Sequence, residues 1–274
     1  MKYASAILAF PSVALAVCHH GTSLWSRDVT IASFNYEGET GPIGWAALDE
    51  ANEACATGTR QSPVNLVVGA GIRQLNYTDH DDRISIELPD IEESAEFENL
   101  GSTLEVVMEG KGASIEYDGV NATLKQFHFH TPSEHHINGE YYPMEAHFVF
   151  DAGESIIVLG IPIEIEHRDS YLMHSVFKHV EEISAPGSTS ETGPLSFKRL
   201  LHHVERSAIW SYSGSLTTPP CSEVVTWLVV DKPIAVSPHT YKTVKHILGY
   251  NARYTQNEPG KDNLLEFANK EIFG

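Results

Sequence analysis

Basic residues are scarce in this chain. Its 274 residues hold 18 lysines and arginines against 37 aspartates and glutamates, a formal net charge of −19. Such a balance repels phosphate backbones and anionic headgroups, and so excludes nucleic acid and membrane surfaces as partners. After the first residues no apolar run is long enough to span a bilayer. Residues 263–274 are mixed and charged, with no lipid-anchor tail. There is no internal repeat, no low-complexity stretch and no linker. Neither His-Glu-x-x-His nor Gly-x-Ser-x-Gly occurs, which removes two common hydrolase signatures. Cysteine is limited to Cys18, Cys55 and Cys221.

What is present begins with a secretory pattern. Lys2 precedes an apolar stretch over residues 4–17 that ends in Ala14-Leu15-Ala16-Val17. A charged start, a short apolar core and small residues describe a signal peptide over residues 1–17, removed after Ala16 or near Cys18. The expected location is therefore secreted, extracellular. Residues 18–33 are expected to be poorly ordered, and residues 34–274 to form one domain. In an oxidising compartment two cysteines pair. Cys18 lies at or before the processing site, which leaves Cys55 with Cys221. Asn76-Tyr77-Thr78 and Asn121-Ala122-Thr123 match the N-glycosylation pattern. Monomer and homodimer both stay open, since a surviving Cys18 would link two chains.

Short alternating apolar runs recur at residues 84–88, 103–108, 114–117, 123–130, 146–150 and 155–161, with turn signals between them. Residues 155–161 are apolar almost throughout, as in a strand buried on both faces. Helical periodicity comes later, over residues 169–180, 195–204 and 237–249, and residues 223–230 read as a central strand. The fold class this predicts is α+β, mainly β. It is a single domain on a large, mostly antiparallel twisted central sheet with short peripheral helices.

The chemistry centres on Gln126-Phe127-His128-Phe129-His130. Strand residues two apart share a face, so both imidazoles project into one cavity. His147 follows in Glu145-Ala146-His147-Phe148-Val149. Three imidazoles from two strands describe a zinc site with an open fourth position. A lone strand histidine is more often a hydrogen-bonded core residue, and among 15 histidines some cluster by chance. His135-His136 and His202-His203 read as such surface or structural pairs. Gln126 and Glu145 each lie two residues before a histidine on the same face, where a ligand's orienting partner would sit. Glu145 as a surface charge is the alternative. Gly214 to Cys221 is a rigid loop with threonines ahead of two prolines.

Together, Gln61-Ser62-Pro63-Val64-Asn65, the two histidine runs, Ser133-Glu134-His135, Val158-Leu159-Gly160-Ile161 and Ser215-Leu216-Thr217-Thr218-Pro219-Pro220 closely resemble the α-class carbonic anhydrases. The resemblance covers residue 34 to the end, in the family's order. It implies Zn²⁺ on His128, His130 and His147, with water or hydroxide as fourth ligand. It implies reversible hydration of carbon dioxide to bicarbonate, and inhibition by sulfonamides and anions. Thr217 would accept from the hydroxide and donate to Glu134. Val149, Val158, Leu216 and Trp227 would form an apolar wall for carbon dioxide, with Thr218 opposite. Gln126 and Glu145 would orient ligand histidines, and Asn251 would lend its carbonyl to His130. Tyr36 would join the solvent network, and the cysteine pair resembles the bridge of secreted members.

One position departs from the family. Fast members carry a proton-shuttling histidine after Asn-x-Gly, and here Asn99-Leu100-Gly101 is followed by Ser102. Serine does not titrate near neutrality. Turnover is then expected to be slower and more buffer-dependent, with Glu105 the other group in reach. Two rival classes are a catalytically silent extracellular binding module, which typically lacks a zinc histidine, and a zinc esterase.

Overall fold

The computed structural model describes residues 29–69, 71–77 and 84–273. The expected signal peptide, Cys18 and residues 18–28 lie outside them. In chain order the strands are β1 (Asn65–Leu66), β2 (Arg73–Asn76), β3 (Ile84–Glu87), β4 (Glu96–Asn99), β5 (Leu104–Val107), β6 (Ser114–Tyr117) and β7 (Val120–His130). They continue as β8 (His136–Ile137), β9 (Met144–Asp151), β10 (Ile156–Ile165), β11 (Thr189–Glu191), β12 (Ala208–Gly214), β13 (Val225–Val230) and β14 (Ile234–Val236). Twelve of these strands form one sheet with the main order β11-β4-β5-β7-β9-β10-β13-β12-β2. β1 and β8 pair separately.

The sheet is antiparallel except at its middle, where β10 runs parallel to both β13 and β14. That explains why residues 155–161 read as almost continuously apolar: Ile156 to Ile163 are buried throughout. On one face, Phe127, Phe129, Phe148 and Phe150 join the larger core under the helices. On the other, Val149, Val158, Leu216, Trp227 and Val229 form a second cluster. The site sits on this second face.

The helices are short. After the single turn α1 (Ala54–Thr57), Ser170 caps α2 (Tyr171–Val176) by accepting from Met173 N. Asp169 accepts from Ser237 N and the Thr240 hydroxyl, and so braces the start of α4 (Pro238–Leu248). Helix α3 is confined to Lys198–Val204. Strands β2, β4 and β12 and the helix Leu264–Phe273 carry no strong sequence pattern and were not expected. β12 mixes serines with buried aromatics, because its neighbours β13 and β2 define its faces. Within the stretch expected to be loose, Ala32 N donates to Leu100 O, and Ile31 lies beside Gly101 and Gly187. Among the described residues no helix is long and apolar enough to cross a membrane.

Cys55 and Cys221 are bonded and fully buried, 166 residues apart in sequence. Closing so long a loop restricts the unfolded chain by about 5 kcal/mol in the chain-entropy account. Replacing both cysteines by serine should therefore lower stability by roughly 3–5 kcal/mol in urea unfolding. A loss below ~1 kcal/mol would mean that the unfolded chain gains little freedom when the bridge is absent.

Candidate metal centre

Strand β7 holds its histidines by burying its phenylalanines. Phe127 stacks on Phe148 at 4.6 Å, and the two residues are paired across β7 and β9. The pleat then turns Gln126, His128 and His130 to the opposite face. His147 stands directly across from His128. Ligand atoms of His128, His130 and His147 lie within 4.8 Å of one another, and all three residues are buried.

Their outer hydrogen bonds set the tautomers. His128 Nδ1 is 2.9 Å from Gln126 Oε1, and His130 Nδ1 is 2.7 Å from the Asn251 carbonyl. His147 uses its other nitrogen, with Nε2 at 3.0 Å from Glu145 Oε1. An oxygen with only lone pairs obliges each of these nitrogens to carry the proton. The lone pairs therefore fall on Nε2 of His128 and His130 and on Nδ1 of His147. Burial pulls His130 down to about 4 and lowers His147 as well. Three buried imidazoles, each with its outer nitrogen protonated, suit Zn²⁺.

Glu134 stands beside these lone pairs, Oε2 lying 3.5 Å from His130 Nε2 and 3.9 Å from His147 Nδ1. Its Oε1 accepts from Arg253 N at 2.8 Å, and Thr217 hydrogen-bonds the carboxyl. Burial raises its pKa to about 7 against the opposing pull of His147, Arg253 N and Thr217. A bound cation would act in the same direction as His147.

Glu145 is not on the surface. Its carboxylate accepts from Glu134 N, His135 N, His135 Nδ1 and His147 Nε2, at 2.8, 2.9, 2.8 and 3.0 Å. Burial works to raise its pKa, but His135 and His147 hold it well below the usual carboxylate range. His135, expected to be a surface or structural histidine, is 2% exposed and central to this arrangement. Its Nε2 is 2.7 Å from the Tyr212 hydroxyl, which donates to Ser62 Oγ at 2.8 Å. Ser62 and Ser215 then exchange hydrogen bonds at 2.9 and 3.0 Å, which ties the network to the Thr217 loop. His135, Glu145 and His147 are also close enough for an ion, but these atoms already bond one another.

Four of the remaining expected residues share this face. Val149, Val158, Leu216 and Trp227 pack as one apolar group, and Trp227 Nε1 donates to Ser215 O at 3.0 Å. The Trp227 ring lies 4.8 Å from that of His147. Thr218 is buried, and its carbonyl accepts from Cys221 N. Asn251 side-chain atoms tie Thr131 N, Phe129 O and Ser102 O together. Ser102 is 3% exposed. Glu105 faces His128 from β5, and burial with Glu98 pushes its carboxyl well above the usual range. Tyr36 packs edge-on to Trp45, and burial, then Glu134, raises its hydroxyl. Asn76 and Asn121 are exposed. Tyr212 and Arg253 were missed: the first lies in the unrecognised strand β12, and the second two residues beyond Asn251 with no motif to mark it.

A family model described as eukaryotic-type carbonic anhydrase matches residues 40–265. A fungal alpha carbonic anhydrase from Aspergillus oryzae superposes with a TM-score of 0.81 at 42% identity, covering 87% of this chain and 99% of that one. An alpha-carbonic anhydrase from Thermovibrio ammonificans, solved with the inhibitor sulfanilamide, gives 0.72 at 31% identity, with 84% and 97% covered. A carbonic anhydrase of Neisseria gonorrhoeae is 33% identical over 232 residues, 82% of this chain and 81% of its own.

Two outcomes follow from Glu145. Gly160 faces His147 across β10 and β9, and a Cβ there would come 2.9 Å from Glu145 Oε1. Gly160→Ala should displace the carboxylate and weaken metal affinity roughly 10–100-fold, measured by chelator competition. Glu145 stabilises the fold above its ordinary pKa of 4.5 and loses that contribution as pH falls through its depressed value. The stability gap between wild type and Glu145→Gln should therefore be widest near neutrality and narrow below about pH 4.5 in thermal unfolding.

Proposed function

The chain belongs to the eukaryotic-type carbonic anhydrase family, which carries carbonate dehydratase activity, and from that we propose a secreted enzyme that hydrates carbon dioxide at a zinc ion held by His128, His130 and His147. The observation that supports this reading most is the convergence of three buried imidazoles beside the Glu134–Thr217 pair. When bound, zinc supplies Lewis-acid charge that brings the pKa of a coordinated water into the neutral range, for which carbonic anhydrases are the standing example.

The rest is the work of side chains. Gln126, Asn251 and Glu145 hold the ring protons of the three ligands on their outer nitrogens. Thr217 gives its proton to Glu134, whose other oxygen is held by Arg253 N. The Thr217 oxygen then meets the reactants only as an acceptor, and so selects a partner that carries a proton. Val149, Val158, Leu216 and Trp227 exclude water and offer an uncharged, linear molecule a surface that orients it without binding it tightly. Tyr36 belongs to the solvent network on the Glu134 side. Ser102 has no proton to exchange near neutrality and is nearly buried, so the proton released leaves to buffer. The buried disulfide and the Lys2-led apolar start support an oxidising, extracellular location, with N-glycans on exposed Asn76 and Asn121.

Stopped-flow carbon dioxide hydration tests the reading. The metal-loaded protein should hydrate carbon dioxide, sulfanilamide should abolish the activity, and the rate should climb with buffer concentration. A loaded protein without activity would sink the assignment. A rate indifferent to buffer would leave the assignment intact and remove the role given to Ser102.

A further inference from the structure

Among the described residues Arg253 is the one buried arginine or lysine, with 2% of its surface exposed. Burying a guanidinium is costly unless its donors are used. Its partners are backbone carbonyls from the far end of the chain. Nη1 donates to Ser62 O at 2.8 Å, Nη2 to Cys55 O at 3.1 Å, and the group lies over the Trp45 ring at 5.7 Å. A hydrophobic side chain could fill this space at lower cost, so the charge implies a requirement for the fork.

The backbone around Arg253 serves the site directly. Its own N–H donates to Glu134 Oε1 at 2.8 Å. Two residues earlier, Asn251 accepts from His130 Nδ1 and donates its N–H to Thr131 O. Residues 251–258 belong to no helix or strand. A segment without a regular ladder takes its position from scattered ties, here the backbone bonds of Asn251 N to Thr131 O and Gln256 N to Pro63 O together with the side chains of Asn251 and Arg253. The anchor is itself fixed, since Cys55 is bonded to Cys221 and Gln61 Nε2 donates to Cys221 O at 3.0 Å.

We propose that Arg253 is a positioning residue for the metal centre. Its two-pronged contact ties residues 251–253 to the carbonyls of Cys55 and Ser62. The Asn251 carbonyl is thereby held at His130, and the Arg253 amide at Glu134. Lysine keeps the charge but not the fork, so it cannot hold both carbonyls at once. The effect on zinc rests on the function proposed above; the effect on the segment does not.

The test compares wild type with Arg253→Met, Arg253→Lys and a control of general destabilisation, Leu200→Ala, in the outer core on α3. Hydrogen–deuterium exchange resolved to single amides is measured in metal-free protein. Zinc loss to a chelator and sulfanilamide affinity are measured in loaded protein, well below melting. In Arg253→Met the amides of Asn251 and Arg253 should exchange at least about tenfold faster while β9 and β10 stay protected. Zinc should leave about tenfold faster, in line with the loss of other outer partners of metal ligands. Arg253→Lys should shift the same readings in the same direction by a smaller factor, and it decides the question if the methionine variant does not fold. Leu200→Ala should lower the melting temperature and leave these readings within about twofold. Unchanged exchange at Asn251 and Arg253, or an even acceleration across β9 and β10 as in any destabilised variant, overturns the proposal. If wild type takes up no zinc, the function reading fails, and the exchange data still decide whether Arg253 holds the segment.

Discussion

The site depends on one buried carboxylate having all its lone pairs occupied. Two oxygens offer about four acceptor positions, and Glu145 meets a donor at each. A buried charge this well surrounded stays ionised, and an ionised Glu145 keeps the His147 proton on Nε2. The same oxygens fix the backbone of Glu134 and His135. The lone pair offered to a metal and the acceptor offered to Thr217 are thus set by one group. Displacing it disturbs both at once.

Around this carboxylate, the fold divides its work by face. Phenylalanines at alternate positions of β7 and β9 fill one core, and the residues between them are presented to the other side. A one-residue slip would exchange the two sets, so the cost of exposing Phe127 and Phe148 is what keeps His128 opposite His147. Chemistry here relies on apolar packing for its alignment and on polar contacts for its tautomers.

That division also explains what could be read from residues alone. Period-two alternation and the His-x-His spacing are local, and they carried the strand and the ligand face, while the apolar wall came only from the resemblance to the family. Residues 155–161 likewise announced a strand buried on both sides. The parallel pairing of β10 with β13 and β14 left no such mark, because pairing direction depends on chain crossings rather than on composition. β12 was hidden because its serines blur the alternation, and with it Tyr212. His135 read only as half of a surface or structural pair, since its partners Glu145 and Tyr212 are 10 and 77 residues away. Arg253 was invisible for the same reason.

The segment that Arg253 carries has a place in time as well as in space. Asn251 reaches His130 across 121 residues, and Arg253 reaches Ser62 and Cys55 across 191 and 198. Contacts that close such loops are entropically late and tend to follow local structure during folding. During synthesis, β7, β9 and β10 can pair while residues 251–253 are still inside the ribosome. The face bearing the histidines therefore exists before the carbonyl that fixes the His130 tautomer and the amide that fixes Glu134. The reactive centre is completed by a segment made long after its histidines, so a product cut short before that segment can resemble the fold without possessing the site.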